Sequence, residues 1–116
     1  MTREVDIVIV GAGLAGASAA VMLGRTDHSV VLVDPHDPPR PDFRCEKLDP
    51  SQVRVLHRMG LGGLVLPLAT HNRELWVARL GRLVDKLAVS QYGILYQSLV
   101  AAVRRGIPSQ VTCLLG

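Results

Sequence analysis

The stretch that decides the fold is Val5-Asp6-Ile7-Val8-Ile9-Val10-Gly11-Ala12-Gly13-Leu14-Ala15-Gly16. A nearly continuous β-branched run enters three glycines spaced two and three apart. Strands covered on both faces have this composition, so Val5–Val10 is expected as the central strand of a parallel sheet. Gly11 makes the tight turn out of it. Gly13 has no Cβ and lets backbone approach a pyrophosphate closely, and Gly16 lets the following helix pack against the strand. That helix is expected from Leu14 to about Arg25, with Ala17, Ser18, Ala19 and Ala20 keeping its first turns thin. Its free N-terminal N–H groups form an anion seat.

A second apolar run, Ser29-Val30-Val31-Leu32-Val33, follows the break at Asp27-His28 and ends on Asp34, eighteen residues after Gly16. A carboxylate there can accept both ribose hydroxyls of a bound dinucleotide. Glycines after a strand, a helix opening on them and an acid closing the next strand make a dinucleotide-binding fingerprint, with Gly11, Ala12, Gly13, Leu14, Ala15, Gly16 and Asp34 as its binding residues. The acid disfavours a 2′-phosphate and so NADP at this site. It does not distinguish NAD from FAD.

The 116 residues allow one domain at most, and the apolar fraction of 48% is enough for a core. Net charge is +3 and scattered, with no concentrated basic stripe of the kind nucleic acid requires. Cys45 and Cys113 lie far apart without metal-ligand spacing, so neither a zinc site nor a disulfide framework is expected, and a reduced cytoplasmic setting fits. No apolar run is long enough to span a bilayer, and no signal peptide is evident.

Pro35 to Pro50 reads as a long rigid crossing with five prolines and the basic residues Arg40, Arg44 and Lys47. Asp49-Pro50-Ser51-Gln52 then signals a helix start, with Asp49 as N-cap, Pro50 at the first helical position and Gln52 completing a capping box. Val53, Leu56 and Met59 form its apolar stripe and Gly60 stops it. Leu61–Leu68 is apolar but ambiguous. Glu74–Arg79 and Arg82–Leu87 read as a β-hairpin around Leu80-Gly81, with Trp76 expected to pack it against the body. A helix from Ile94 to Arg105 carries Leu95, Leu99 and Val103 at helical spacing, and Gly106 ends it. Val111–Leu115 begins another strand. Cys45 is expected to be a buried or half-buried small residue, and His28, His36, His57 and His71 share no geometry that would make them catalytic.

The segments DIVIVGAGLAGASAAVMLGRTDHSVVLVD and RPDFRCEKLDPSQVRVLHRMGL resemble the amino-terminal part of the flavin-dependent aromatic hydroxylases, the family of para-hydroxybenzoate hydroxylase. Gly11, Gly13, Gly16, Asp34, Arg44 and Met59-Gly60-Leu61 carry the likeness. The resemblance implies an α/β, Rossmann-like FAD-binding βαβ unit with a small β-hairpin insertion, and FAD as cofactor with NAD(P)H as co-substrate. It implies that Arg44 lies near the flavin nucleotide. Where the family often has arginine in the last helix this chain has Tyr96, and Gln97 is the neighbouring candidate for a neutral hydrogen bond to the cofactor. The resemblance makes the last strand part of the main sheet.

The implied activity is hydroxylation of a small organic substrate, aromatic or polyketide, with oxygen. An FAD-dependent reductase of an isoprenoid or other unsaturated substrate is the alternative, and a free-standing nucleotide-binding module is a third. The resemblance also implies that residues 1–116 are the amino-terminal portion of an FAD-binding domain, incomplete and catalytically incompetent alone. No catalytic residue is assigned within it.

Overall fold

The computed structural model describes residues 2–116. The glycine-rich segment forms a strand–turn–helix: β1 (Ile7–Val10) leads into α1 (Leu14–Leu23), and β2 (Val30–Asp34) returns parallel to β1 with Ile7 opposite Val30 and Val10 opposite Val33. The last strand, which is β6 in chain order (Thr112–Leu115), runs parallel to β2 on its other side. The sheet order is therefore β1-β2-β6, and β2 is its centre. This corrects the expectation for the first strand. β1 is an edge, and Val8 and Val10 on its outer face are 57% and 82% exposed. Val30, Val31 and Leu32 of β2 are the buried ones.

Helix α1 is small and apolar all round because it is covered on two sides. Ala20 packs with Ala12, Val30, Leu32 and Val111 against the parallel sheet. Ala17 and Val21 pack against a second cluster containing Leu56, Leu99 and Val103. The chain thus has two adjoining cores that share one helix.

The segment expected as a continuous crossing loop contains a strand, β3 (Cys45–Leu48). It joins an antiparallel sheet of order β3-β5-β4, where β4 is Thr70–Arg79 and β5 is Arg82–Leu95. The hairpin is longer than the sequence pattern indicates. Leu80 and Gly81 at its turn have φ of 48° and 75°, the left-handed pair that a two-residue hairpin turn requires. Much of this arm is exposed, and it elongates the molecule to 67 × 27 × 18 Å. Trp76 does not pack against the body. It is 61% exposed, and the ammonium of Lys86, its cross-strand partner, lies 4.4 Å from its ring centroid. Cys45 is likewise exposed rather than buried, as its alternation in β3 turns it outward.

Helix α2 (Pro50–Arg58) begins as expected. Asp49 accepts from Gln52 N at 3.0 Å and Gln52 Oε1 accepts from Asp49 N at 2.8 Å. Asp49→Ala should lower stability by about 1 kcal/mol, as loss of an N-cap does; a melt with no drop would show the box to be idle. The ambiguous segment after it is α3 (Gly62–Val65) followed by a 3-10 turn over Leu66–Leu68. Helix α4 (Tyr96–Arg105) starts two residues later than expected. Leu95 therefore belongs to β5 and is 58% exposed, whereas Leu99 and Val103 are buried.

Candidate cofactor site

A cavity of about 540 Å³ opens at the carboxyl ends of β1 and β2, the place where open parallel sheets bind ligands. Its floor is Ala12 and Gly13. One wall is Asp34 and His36; a second is the loop from Pro39 to Asp42 with Arg44; the third is the face of α4 carrying Tyr96, Gln97, Val100 and Arg104.

The glycine loop is shaped by its neighbours. Gly11 has φ of 97° and donates its N–H to Val33 O at 2.8 Å, tying the turn to the end of β2. At Gly16 a Cβ would lie 1.7 Å from Gly11 O, so only glycine fits where α1 crosses the turn. The helical ladder begins with Ala17 N donating to Gly13 O. The N–H groups before it fall outside that ladder. Leu14 N is 3.5 Å from Tyr96 Oη.

Asp34 is 13% exposed at its side chain. Oδ2 accepts from Ala12 N at 2.7 Å, and Oδ1 accepts from His36 N at 2.7 Å with the His36 ring at 3.3 Å. The Ala12 N–H contributes most to holding its carboxyl below the usual range; burial opposes this, and His36 N–H and the Arg104 charge add to the lowering. A carboxylate oxygen has about two acceptor positions, so Oδ2, with the Ala12 N–H as its one hydrogen-bond partner, retains capacity for a hydroxyl.

Arg44 reaches the cavity because β3 places it there. Cys45 is in register with Leu95, and Tyr96 N donates to Arg44 O at 2.8 Å. The Arg44 guanidinium lies 3.9 Å from the Tyr96 ring centroid, and its Nε is 3.5 Å from Asp42 and 3.3 Å from Glu46. These exposed ion pairs are individually weak, so the guanidinium is free to turn to a stronger anion. Gln97 Nε2 donates to Pro39 O at 3.3 Å, bracing the loop against α4.

Of the residues expected from sequence, Ala12, Gly13, Asp34, Arg44 and Gln97 line the cavity together. Gly11, Leu14, Ala15 and Gly16 do not line it and instead build the turn and helix start beneath it. His36, Arg40, Asp42, Tyr96 and Arg104 join the lining without having been assigned to it. Arg104 had a readable signal: with Tyr96 and Val100 it recurs every four residues on one face of α4. The site brings three arginines, the start of a helix and the Asp34 carboxylate into one cleft. That donor set fits a nucleotide diphosphate and its ribose.

Residues 4–95 match the protein-family model described as FAD binding domain. The chain belongs to this FAD-binding family. A menaquinone reductase of Mycobacterium tuberculosis is 39% identical over 69 residues, covering 60% of this chain and 16% of that protein. PqsL of Pseudomonas aeruginosa, solved in complex with 2-aminobenzoylacetate and described as a probable FAD-dependent monooxygenase, is 27% identical with a TM-score of 0.83. The match covers 97% of this chain and 34% of PqsL. The p-nitrophenol 4-monooxygenase PnpA of Pseudomonas putida superimposes with a TM-score of 0.85 over 99% of this chain and 32% of PnpA, and at 19% identity shows a shared fold. The chain thus spans about a third of these solved structures and less than a fifth of the curated relatives it matches. The resemblance to flavin hydroxylases stands, as does FAD as the cofactor class. Among the described residues, no helix is long and apolar enough to cross a membrane.

Proposed function

We propose that the chain holds the adenosine and pyrophosphate portion of FAD in a flavin-dependent monooxygenase acting on a small organic substrate, aromatic or polyketide in character. The observation that carries the reading is the cleft in which the glycine loop, Asp34 and the arginine-bearing loop converge at the carboxyl ends of β1 and β2. In this reading Asp34 accepts the ribose hydroxyls. The Gly11–Gly16 turn and the start of α1 seat the pyrophosphate through backbone N–H groups. Arg44 supplies a forked cation to phosphate, and Gln97 a neutral hydrogen bond from the adjoining wall. Bound FAD would supply the redox chemistry, accepting reducing equivalents from NAD(P)H and passing them to oxygen. The residues of this chain bind and orient; none is assigned a proton-transfer step. Two free cysteines accord with a reducing, cytoplasmic compartment.

The likeness to PqsL supports the oxygen-using reading, and the 39% identity to a menaquinone reductase supports a second, reduction of an unsaturated substrate without oxygen. The full-length, FAD-loaded enzyme to which these residues would contribute the adenosine end should consume oxygen in proportion to hydroxylated product when supplied with NAD(P)H and a panel of small aromatic substrates. Product formed in strictly anaerobic buffer would remove the monooxygenase reading in favour of the reductase. A folded protein whose melting temperature rises with NAD and not with FAD would overturn the cofactor assignment itself.

A further inference from the structure

We propose that Arg104 is a positioning residue for the adenosine end of the cofactor site, acting through Asp34 and the two backbone segments beside it. The proposal rests on the FAD reading above and adds a residue to it. Arg104 lies near the end of α4, where a basic side chain would ordinarily turn to solvent and the helix carbonyls. Instead its side chain is only 9% exposed. Nε donates to Ala12 O at 2.8 Å, Nη1 donates to His36 O at 2.8 Å, and Nη2 stands 3.8 Å from Asp34 Oδ2.

One guanidinium therefore adds a second tie between the glycine turn, the end of β2 and the start of the crossing loop, beside the Gly11 N–Val33 O and Ala12 N–Asp34 bonds. Asp34 binds the same two neighbours from the opposite polarity: it accepts from Ala12 N and His36 N, while Arg104 donates to Ala12 O and His36 O. Both residues clasp the peptide units on either side of the place where a ribose would sit. At 3.8 Å the Arg104–Asp34 contact is an ion pair rather than a hydrogen bond, so it orients Oδ2 without occupying a lone pair that a hydroxyl would use. Planar geometry and five donors suit arginine to this triple contact, and lysine cannot reproduce it.

The test is a double-mutant cycle read by FAD titration of the apoprotein, with the melting temperature of each apoprotein recorded alongside. Arg104→Met should weaken FAD binding about tenfold, within the range of coupled neighbouring residues. Asp34→Asn should weaken it by at least as much, and the double variant should bind no worse than Asp34→Asn alone. Arg104→Lys, which keeps the charge beside Asp34, should recover part of the loss and serves in the cycle if Arg104→Met does not fold. Losses that multiply in the double variant, or an Arg104→Met protein that binds like wild type, would overturn the proposal while leaving FAD as cofactor. Failure of the folded wild-type protein to bind FAD would remove the cofactor reading, and this proposal with it.

Discussion

Asp34→Ala should weaken FAD binding about 10- to 100-fold, the loss of hydrogen bonds to a charged group worth about 1.5–3 kcal/mol each. The carboxylate sits where β2 ends, and both oxygens are already oriented by Ala12 N–H and His36 N–H. Its acceptor positions toward the cavity are thereby fixed before a ligand arrives. Alanine removes those acceptors, leaves the N–H of the fully buried Ala12 without its partner, and strips Arg104 of its countercharge. Calorimetric titration of the apoprotein with FAD measures the effect. Unchanged affinity together with a lowered melting temperature would mean that Asp34 only closes the glycine turn.

The same carboxylate predicts an acid dependence. Its folded-state pKa is depressed, first by the Ala12 N–H, so the protonated form is the disfavoured one in the native protein. The stabilisation is fully present above the ordinary carboxylate pKa of about 3.9 and is lost as pH falls through the lowered folded value. Wild type should accordingly melt higher than Asp34→Asn at pH 7, with the gap closing as the buffer is taken below about pH 4. A gap that persists undiminished into that acid range would show that charge at Asp34 is not what stabilises the turn.

The features legible in the sequence were those whose cause is local. Gly11, Gly13 and Gly16 demand a turn and a close crossing wherever the chain goes, and Asp49 and Gln52 satisfy each other across a single helical turn. Leu80-Gly81 marks the hairpin through Gly81, which adopts its φ of 75° freely, while pairing of the flanking strands draws Leu80 to 48°. What escaped the reading depends on partners far along the chain. Cys45–Leu48 has little strand character of its own and becomes β3 only by pairing with Tyr92–Leu95. That pairing, with Cys45 opposite Leu95, is what brings Arg44 to Tyr96. The apolar run of β1 suggested cover on both faces, but composition does not say which strand lies in the middle of a sheet, and β2 holds that place. Trp76 was expected to seek the body; the cross-strand cation of Lys86 gives its ring a partner on the arm itself. Arg104 stands in the sequence as one of two arginines before Gly106, and its contacts depend on Ala12 and His36 being folded up beside it.

Gly16→Ala should be the most damaging single methyl group in the chain, in contrast to Gly13→Ala three residues earlier. At Gly16 the added Cβ would stand 1.7 Å from Gly11 O, 2.9 Å from Gly11 C and 3.4 Å from Ile9 Cγ2. The carbonyl cannot step aside cheaply, because Gly11 is held at φ of 97° and bonded to Val33 O. The helix cannot lift without withdrawing Ala17, Ala20 and Val21, all fully buried, from both cores. Overpacking of this kind costs about 1–3 kcal/mol and more where backbone must move, so we expect a loss of about 3 kcal/mol or greater. At Gly13 the backbone has an ordinary φ of −72°, and a Cβ would meet Tyr96 Oη at 3.5 Å, a normal contact. Gly13→Ala should therefore melt near wild type. Yet its methyl group would stand beside the cavity, against the seat proposed for the pyrophosphate, and FAD affinity should fall steeply. The pair separates packing from binding: melts and FAD titrations of both variants are needed. A Gly16→Ala protein that melts like wild type would refute the close-crossing account, and a Gly13→Ala protein that binds FAD normally would move the pyrophosphate away from the glycine turn.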